Sequence, residues 1–241
     1  MIRPILFLIF VLSSISILAQ LNIQQKQLIG KDSTHLKAVE GHYLTPAAGR
    51  AYYKMKLAAY KDSINIKLVS AYRSFDHQKQ IWNRKFDYYL EQGFTYDEIF
   101  KKITDYSTMP GTSRHHWGTE IDIIAINGDM PMRNVLNEKH FKKGGAFAKL
   151  YDWLKENAHK YGFYEAYTNN PQRSGFHYEP WHYSFRPQAV KNLKIYTNSD
   201  LYQHVLQLPI RGLNEISEAL KNDYLTDQIL SIHPDLQLKN K

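Results

Sequence analysis

The sequence predicts an α+β fold in which helices pack around a few short strands, and the polar motifs sit on those strands and their connections. Two patterns carry this reading. Apolar residues recur at helical spacing between clear start and stop signals, and the residues with metal-binding chemistry lie on or beside β-branched and aromatic runs. No repeat, low-complexity run or Gly/Ser linker divides the 241 residues.

Taken in order, Ala51, Met55 and Ala58 form one stripe of a helix over Ala47–Tyr60, and Ile64–Ser70 follows as a strand. Ser74 or Asp76 can cap the next helix, from Gln78 to about Leu90, with Gly93 just past its end. Thr95-x-x-Glu98 is a capping-box signature for a helix reaching about Asp105. Thr119–Ile126 is rich in β-branched residues and reads as a half-buried to buried strand. Phe147, Leu150, Tyr151 and Leu154 mark the apolar face of a helix that ends near Gly162. Residues 187–241, helical near Ser199–Leu206 and Leu213–Tyr224, form a helical C-terminal extension.

The N-terminus reads as a secretory signal peptide over residues 1–19. A short basic start at Arg3 precedes an almost wholly apolar Ile5–Leu18, and Ala19-Gln20 offers a small-residue cleavage site. The apolar run is short of the ~20 residues a membrane span needs, so no stable membrane span is expected after cleavage. Export implies a periplasmic or extracellular location. Cleavage lowers the formal net charge from +8 to +7, because Arg3 is the only charged side chain removed. This basic balance suits an anionic polymer such as a cell wall; no nucleic-acid motif is present, and no nucleic-acid partner is expected. The chain has no cysteine, which excludes a disulfide framework and thiolate metal ligands.

The chemistry concentrates in Ser113-Arg-His115-His-Trp-Gly118-Thr-Glu-Ile-Asp122 and in Glu179-Pro-Trp-His182. A hydrolytic zinc centre needs three protein ligands, an open position and a nearby base. His115, Asp122 and His182 can be the ligands, leaving Glu179 as the base. One straight strand would put His115 and Asp122 on opposite faces, so the chain must turn between them, at Trp117-Gly118. Glu179 and His182 pose the same parity problem, and Pro180 between them favours a sheet edge or a bulge. Trp181 and Tyr183 read as packing residues. Arg73 has the planar fork that pairs bidentately with a carboxylate, such as the C-terminus of a short peptide.

The pattern Ser-x-His-x-x-Gly-x-x-x-Asp followed by Glu-x-Trp-His resembles the zinc peptidases that trim peptidoglycan, the D-alanyl-D-alanine carboxypeptidase group related to the vancomycin-resistance carboxypeptidases. A third shared element, Tyr-Arg-Ser with a Gln five residues after the Arg, appears as Tyr72-Arg73-Ser74 and Gln78. The resemblance covers about Ile64 to Phe185. It implies a small antiparallel sheet carrying the zinc site and a catalytic domain over residues 20–186. It also implies one zinc ion on His115, Asp122 and His182, Glu179 as catalytic base, and Arg73, Gln78 and Ser113 as substrate-holding residues. One position departs from the pattern: where the family commonly has Ala, two residues before the metal-binding Asp, this chain has Glu120. Glu120 shares a strand face with Asp122, which leaves it as an acceptor behind a ligand, a competing ligand, or an ion-paired or solvent-facing carboxylate. His116 could orient a ligand or be exposed.

The expected activity is hydrolysis of peptidoglycan stem peptides by an exported zinc D-alanyl-D-alanine carboxypeptidase. An L,D-carboxypeptidase, endopeptidase or dipeptidase on the same scaffold is the alternative enzyme, and a non-catalytic zinc-containing wall-binding module is the alternative of another class.

Overall fold

In a computed structural model, residues 21–127 and 130–238 are described; the expected signal peptide lies outside them. Eight α-helices surround a four-stranded antiparallel sheet and a separate β-hairpin among the described residues. The fold is therefore α+β with the small antiparallel sheet that was expected. No helix among these residues is long and apolar enough to cross a membrane.

A short helix α1 (Ile23–Leu28) opens the described chain, followed by the hairpin strands β1 (Lys37–Val39) and β2 (His42–Leu44). Helix α2 (Pro46–Lys61) starts where Thr45 caps it, its hydroxyl accepting from Ala48 N, with Pro46 at the position that spends no intrahelical donor. Strand β3 (Ile66–Ser70) then leads to α3 (Phe75–Glu91), capped by Ser74, and α4 (Tyr96–Thr104), which Thr95 and Glu98 cap reciprocally. After β4 (Glu120–Ala125) come α5 (Ala148–Asn157), β5 (Phe163–Glu165) and β6 (His182–Phe185), and then α6 (Arg186–Thr197), α7 (Leu201–Leu206) and α8 (Glu218–Tyr224).

The sheet order is β3-β4-β6-β5, antiparallel throughout. Strand β6 is thus interior, so of the edge or bulge that Pro180 suggested the edge is not what forms. Pro180 sits in the turn just before the strand, where its missing N–H costs no ladder bond. In register, Glu120 faces Ser184 and Asp122 faces His182. Side chains alternate along a strand, so these four polar groups share one face while Ile121 and Tyr183 point to the other.

That other face belongs to a core built with α2 and α5, in which Tyr52, Met55, Leu150 and Leu154 meet Ile121, Ile123, Tyr183 and Phe185. A second core lies among α1, α3, α4 and the C-terminal helices, where Trp82, Phe86, Ile99 and Phe100 meet Leu193, Tyr196, Val205 and Tyr224. The C-terminal segment is therefore packed into the body of the molecule through α6 to α8. Each large apolar side chain fully buried there contributes roughly 1.5–3 kcal/mol. Polar ties reinforce the packing: Trp82 Nε1 donates to Arg211 O at 3.0 Å, Tyr196 Oη to Gly111 O at 3.0 Å, and Met109 N to Tyr224 Oη at 2.9 Å. The last two hold the loop that enters the polar face of the sheet.

Glu165 on β5 is a half-buried acid whose Oε1, itself shielded from solvent, has no hydrogen-bond partner among the described residues. Burial pushes its carboxyl up to about 7, against the pull of Arg173 and Lys155. An acid whose folded value lies above its ordinary 4.5 stabilises the fold fully below that value, and the contribution is lost as pH rises through about 7. Glu165→Gln is therefore expected to raise the unfolding free energy at pH 8 by on the order of 3 kcal/mol and to leave it nearly unchanged at pH 4.5. Urea denaturation of both proteins at the two pH values checks this.

Candidate metal centre and active-site cleft

The segment leading into β4 is a single 3-10 turn, Arg114–Trp117, closed by Gly118 at φ +64°. The left-handed backbone favours glycine here, and a Cβ at Gly118 would also push aside the tip of the Leu36 side chain, 2.3 Å away at Cδ2. This is the turn that parity demanded between His115 and Asp122. Ser113 caps it, its Oγ accepting from His115 N at 3.3 Å. At the other motif His182 N donates to Glu179 O at 3.0 Å, and the turn so formed brings both side chains to one centre.

His115, Asp122 and His182 are all buried, and one donor atom from each lies within 4.8 Å of the other two. His115 Nε2 is 3.5 Å from Asp122 Oδ2, and His182 Nδ1 is 3.8 Å from Asp122 Oδ1. Glu179 Oε2 stands 3.0 Å from the same His182 Nδ1. The four side chains expected to form the centre are thus together.

Hydrogen bonds fix which ring nitrogens face inward. His115 Nδ1 lies 2.5 Å from Ala71 O, which can only accept, so Nδ1 carries the proton and Nε2 presents its lone pair. Burial, with the neighbouring His182 and Arg73, pushes the His115 imidazole well below its ordinary value and keeps it neutral. Burial pushes Asp122 up to about 6, against the pull of His182. For His182 burial acts downward, but the Glu120 and Glu179 carboxylates on its two nitrogens outweigh it and hold the ring up at about 10. His182 Nδ1 would have to give up its proton to hold a cation here.

Two imidazoles and a carboxylate suit zinc, and Asp122 Oδ1 is a buried oxygen with no partner among the described residues. A cation beside it would satisfy that oxygen, and the donor set fits the ion the sequence implies.

The centre opens into a cleft of about 840 Å³, lined by Arg73, Ser113, Arg114, Tyr167, Arg173, Tyr178, Glu179 and Trp181 among others. Arg73 Nη1 donates to Gln78 Oε1 at 2.8 Å. Gln78 is fully buried and donates in turn to Ser107 Oγ at 3.2 Å and Thr108 O at 2.7 Å. Arg73 and Ser113 therefore face the cleft, while Gln78 lies behind Arg73 and sets its orientation. His116 is buried, not exposed. Its Nδ1 donates to Arg73 O at 2.6 Å and its Nε2 accepts from Gly111 N at 3.0 Å, which makes it a neutral strut under the Arg73 backbone. Burial holds its ring down at about 4, consistent with that neutral state.

Glu120 is fully buried and ion-paired with Arg114, its Oε2 3.4 Å from Arg114 Nε. Burial would push its carboxyl up, but Arg114 and His182 hold it down at about 2. Sequence reasoning did not assign Arg114, Arg173, Tyr167 or Tyr178 to the site. Arg114 lies within the first motif and its partner Glu120 was already singled out. Arg173 sits in an irregular loop with no periodic signal. Trp181 packs on Phe141, as its packing role implied, and also lines the cleft.

The model of the VanY D-alanyl-D-alanine carboxypeptidase family matches residues 41–188. The Bacillus subtilis (strain 168) protein YodJ is 30% identical over 166 residues, 68% of this chain and 53% of YodJ. The D-alanyl-D-alanine carboxypeptidase of Enterococcus faecalis is 30% identical over 129 residues, 53% of this chain and 42% of that protein. The chain thus spans about half the length of these curated relatives. Among solved structures, a mutant of the vancomycin-resistance D,D-pentapeptidase VanY in complex with Zn(II) has a TM-score of 0.51 at 24% identity, covering 73% of this chain and 90% of that one. The LD-carboxypeptidase LdcB has a TM-score of 0.51 at 22% identity, covering 82% and 79%. At these identities the two structures establish a shared fold, and the matched residues of the family model establish the lineage. The chain belongs to the D-alanyl-D-alanine carboxypeptidase family.

Proposed function

We propose that the protein is an exported zinc metallopeptidase that removes the terminal D-alanine from peptidoglycan stem peptides, acting in the periplasm or at the cell exterior. The observation that carries this reading is the meeting of His115, Asp122 and His182 around one point, with Glu179 beside it and Arg73 on the same cleft. Export rests on the apolar Ile5–Leu18 stretch and its Ala19-Gln20 end. The basic charge, +8 for the full sequence and lower by the one Arg3 after cleavage, favours an anionic wall polymer.

His115 Nε2, an Asp122 oxygen and His182 Nδ1 would hold the metal, which when bound would supply activation of an attacking water at neutral pH and polarisation of the scissile carbonyl. Glu179 takes the proton from that water as it attacks, then returns it to the departing amine as the C–N bond breaks. Arg73, with one Nη1 donor spent on Gln78, directs its other donors to the free carboxylate of the substrate. A carboxylate anchor beside the scissile bond is what makes the enzyme cut a single residue from the C-terminus. Ser113, at the cap of the 3-10 turn, holds His115 in line and borders the same space.

An L,D-carboxypeptidase is the second reading, because LdcB matches the fold with the same TM-score as the D,D-pentapeptidase. Defined stems separate the two. Release of D-alanine from a pentapeptide ending in D-Ala-D-Ala, with the tetrapeptide left intact, is the outcome expected here; trimming of the tetrapeptide alone gives the second reading.

Glu179→Gln is expected to keep its metal while kcat falls by roughly 10²–10⁴; metal analysis beside steady-state kinetics checks both halves. Arg73→Lys keeps the charge and loses the fork, and kcat/KM is expected to fall roughly ten- to a hundredfold. An amidated C-terminus on the substrate should erase most of the difference between Arg73→Lys and the parent.

A further inference from the structure

Glu120 stands where the family pattern has a small residue, and it is among the most enclosed carboxylates in the molecule, at 0% exposure. All of its contacts are directional. Oε2 accepts from His182 Nε2 at 3.0 Å and lies 3.4 Å from Arg114 Nε. Oε1 accepts from Ser184 Oγ at 2.7 Å and Thr119 Oγ1 at 2.9 Å, with Arg114 Nη2 at 3.4 Å. Arg114 Nη2 also donates to Ser184 Oγ at 2.6 Å, and its guanidinium lies 4.6 Å over the Trp117 ring.

Resting on the metal-centre reading above, we propose that Glu120 is a positioning residue: it fastens His182 by Nε2 so that Nδ1 is turned to the metal, and Arg114 compensates its buried charge. An imidazole on a strand can turn about its Cβ–Cγ bond and exchange the places of Nδ1 and Cδ2, and only one of the two orientations offers a nitrogen to Asp122 and Glu179. A carboxylate on the far nitrogen selects that orientation and makes the near nitrogen a stronger donor. The strand register builds this in, since Glu120 and Asp122 lie two apart on β4 opposite Ser184 and His182 on β6. The same carboxylate is held off the metal, because Ser184, Thr119 and Arg114 occupy its second oxygen.

The competing explanation is that Glu120 is only a counter-ion for Arg114, a buried charge that needs a partner. Two variants distinguish the roles. Glu120→Ala removes the acceptor and strands Arg114, whereas the double variant Glu120→Ala/Arg114→Met removes both charges together and leaves no unpaired ion to unfold the protein. The readout is the zinc dissociation constant of the purified protein, by competition with a chromogenic chelator. Both variants are expected to bind zinc roughly 10- to 100-fold more weakly than the parent. In the zinc-loaded parent the His182 Nε2 proton should give a sharp, slowly exchanging NMR signal, absent from the double variant. A double variant whose zinc affinity stays within fivefold of the parent, or which keeps that signal, overturns the proposal and leaves Glu120 as a counter-ion. If the parent itself does not bind zinc, the metal reading and this one fall together.

Discussion

The arrangement depends on a single strand pairing. Asp122 on β4 stands opposite His182 on β6, and this register sets a polar group on the same buried face at each of four positions. A buried polar face is costly unless every group on it is satisfied. Here the cost is offset from within: Arg114 compensates Glu120, Glu120 holds His182, Ser184 bridges Arg114 and Glu120, and Ala71 O fixes His115. What stays unsatisfied is Arg114 Nη1 and, at the point where the donor atoms of His115 and His182 converge, Asp122 Oδ1. A cation fits at the second of these points.

Rigidity of the loops around that face comes from the two cores on either side. The core with α2 and α5 presses on the back of the sheet, and the core with the C-terminal helices fixes the segment that delivers Ser113 to Trp117. Trp117 Nε1 donates to Leu28 O, Tyr196 Oη to Gly111 O, and His116 ties Gly111 to Arg73. Helices that look like an appendage in the sequence therefore brace the 3-10 turn carrying His115. Arg73 is held from three sides, by Gln78 at its side chain, His116 at its carbonyl and His115 O at its amide. A binding guanidinium held this way loses little freedom when it meets a carboxylate.

Much of this was legible in the sequence, because local rules govern it. The Ser74 and Thr95 caps, the buried β-branched run before Ile126 and the turn at Gly118 follow from short-range chemistry, and the structure has each of them. The grouping of His115, Asp122, His182 and Glu179 was legible from residue type and the parity of their spacing. Long-range features were not. Pro180 suggested an edge strand or a bulge, since sequence gives no sign that a turn would place the proline before β6 and leave the strand free to pair on both sides. Gln78 was expected on the substrate, but its burial behind Arg73 depends on Ser107 and Thr108, some thirty residues away, a distance that local pattern does not reach. Arg114 pairs with Glu120 only because the turn between them folds back, and neither residue announces that alone.

The central claim is that this buried face is a catalytic metal site acting on the end of a peptide. The most direct test is release of D-alanine from a muropeptide ending in D-Ala-D-Ala, followed before chelation, after chelation and after zinc is restored. The account predicts release of a single terminal D-alanine that stops with chelator and returns with zinc. Release that is indifferent to the chelator, or a protein that holds zinc and releases nothing from any stem peptide, would contradict it.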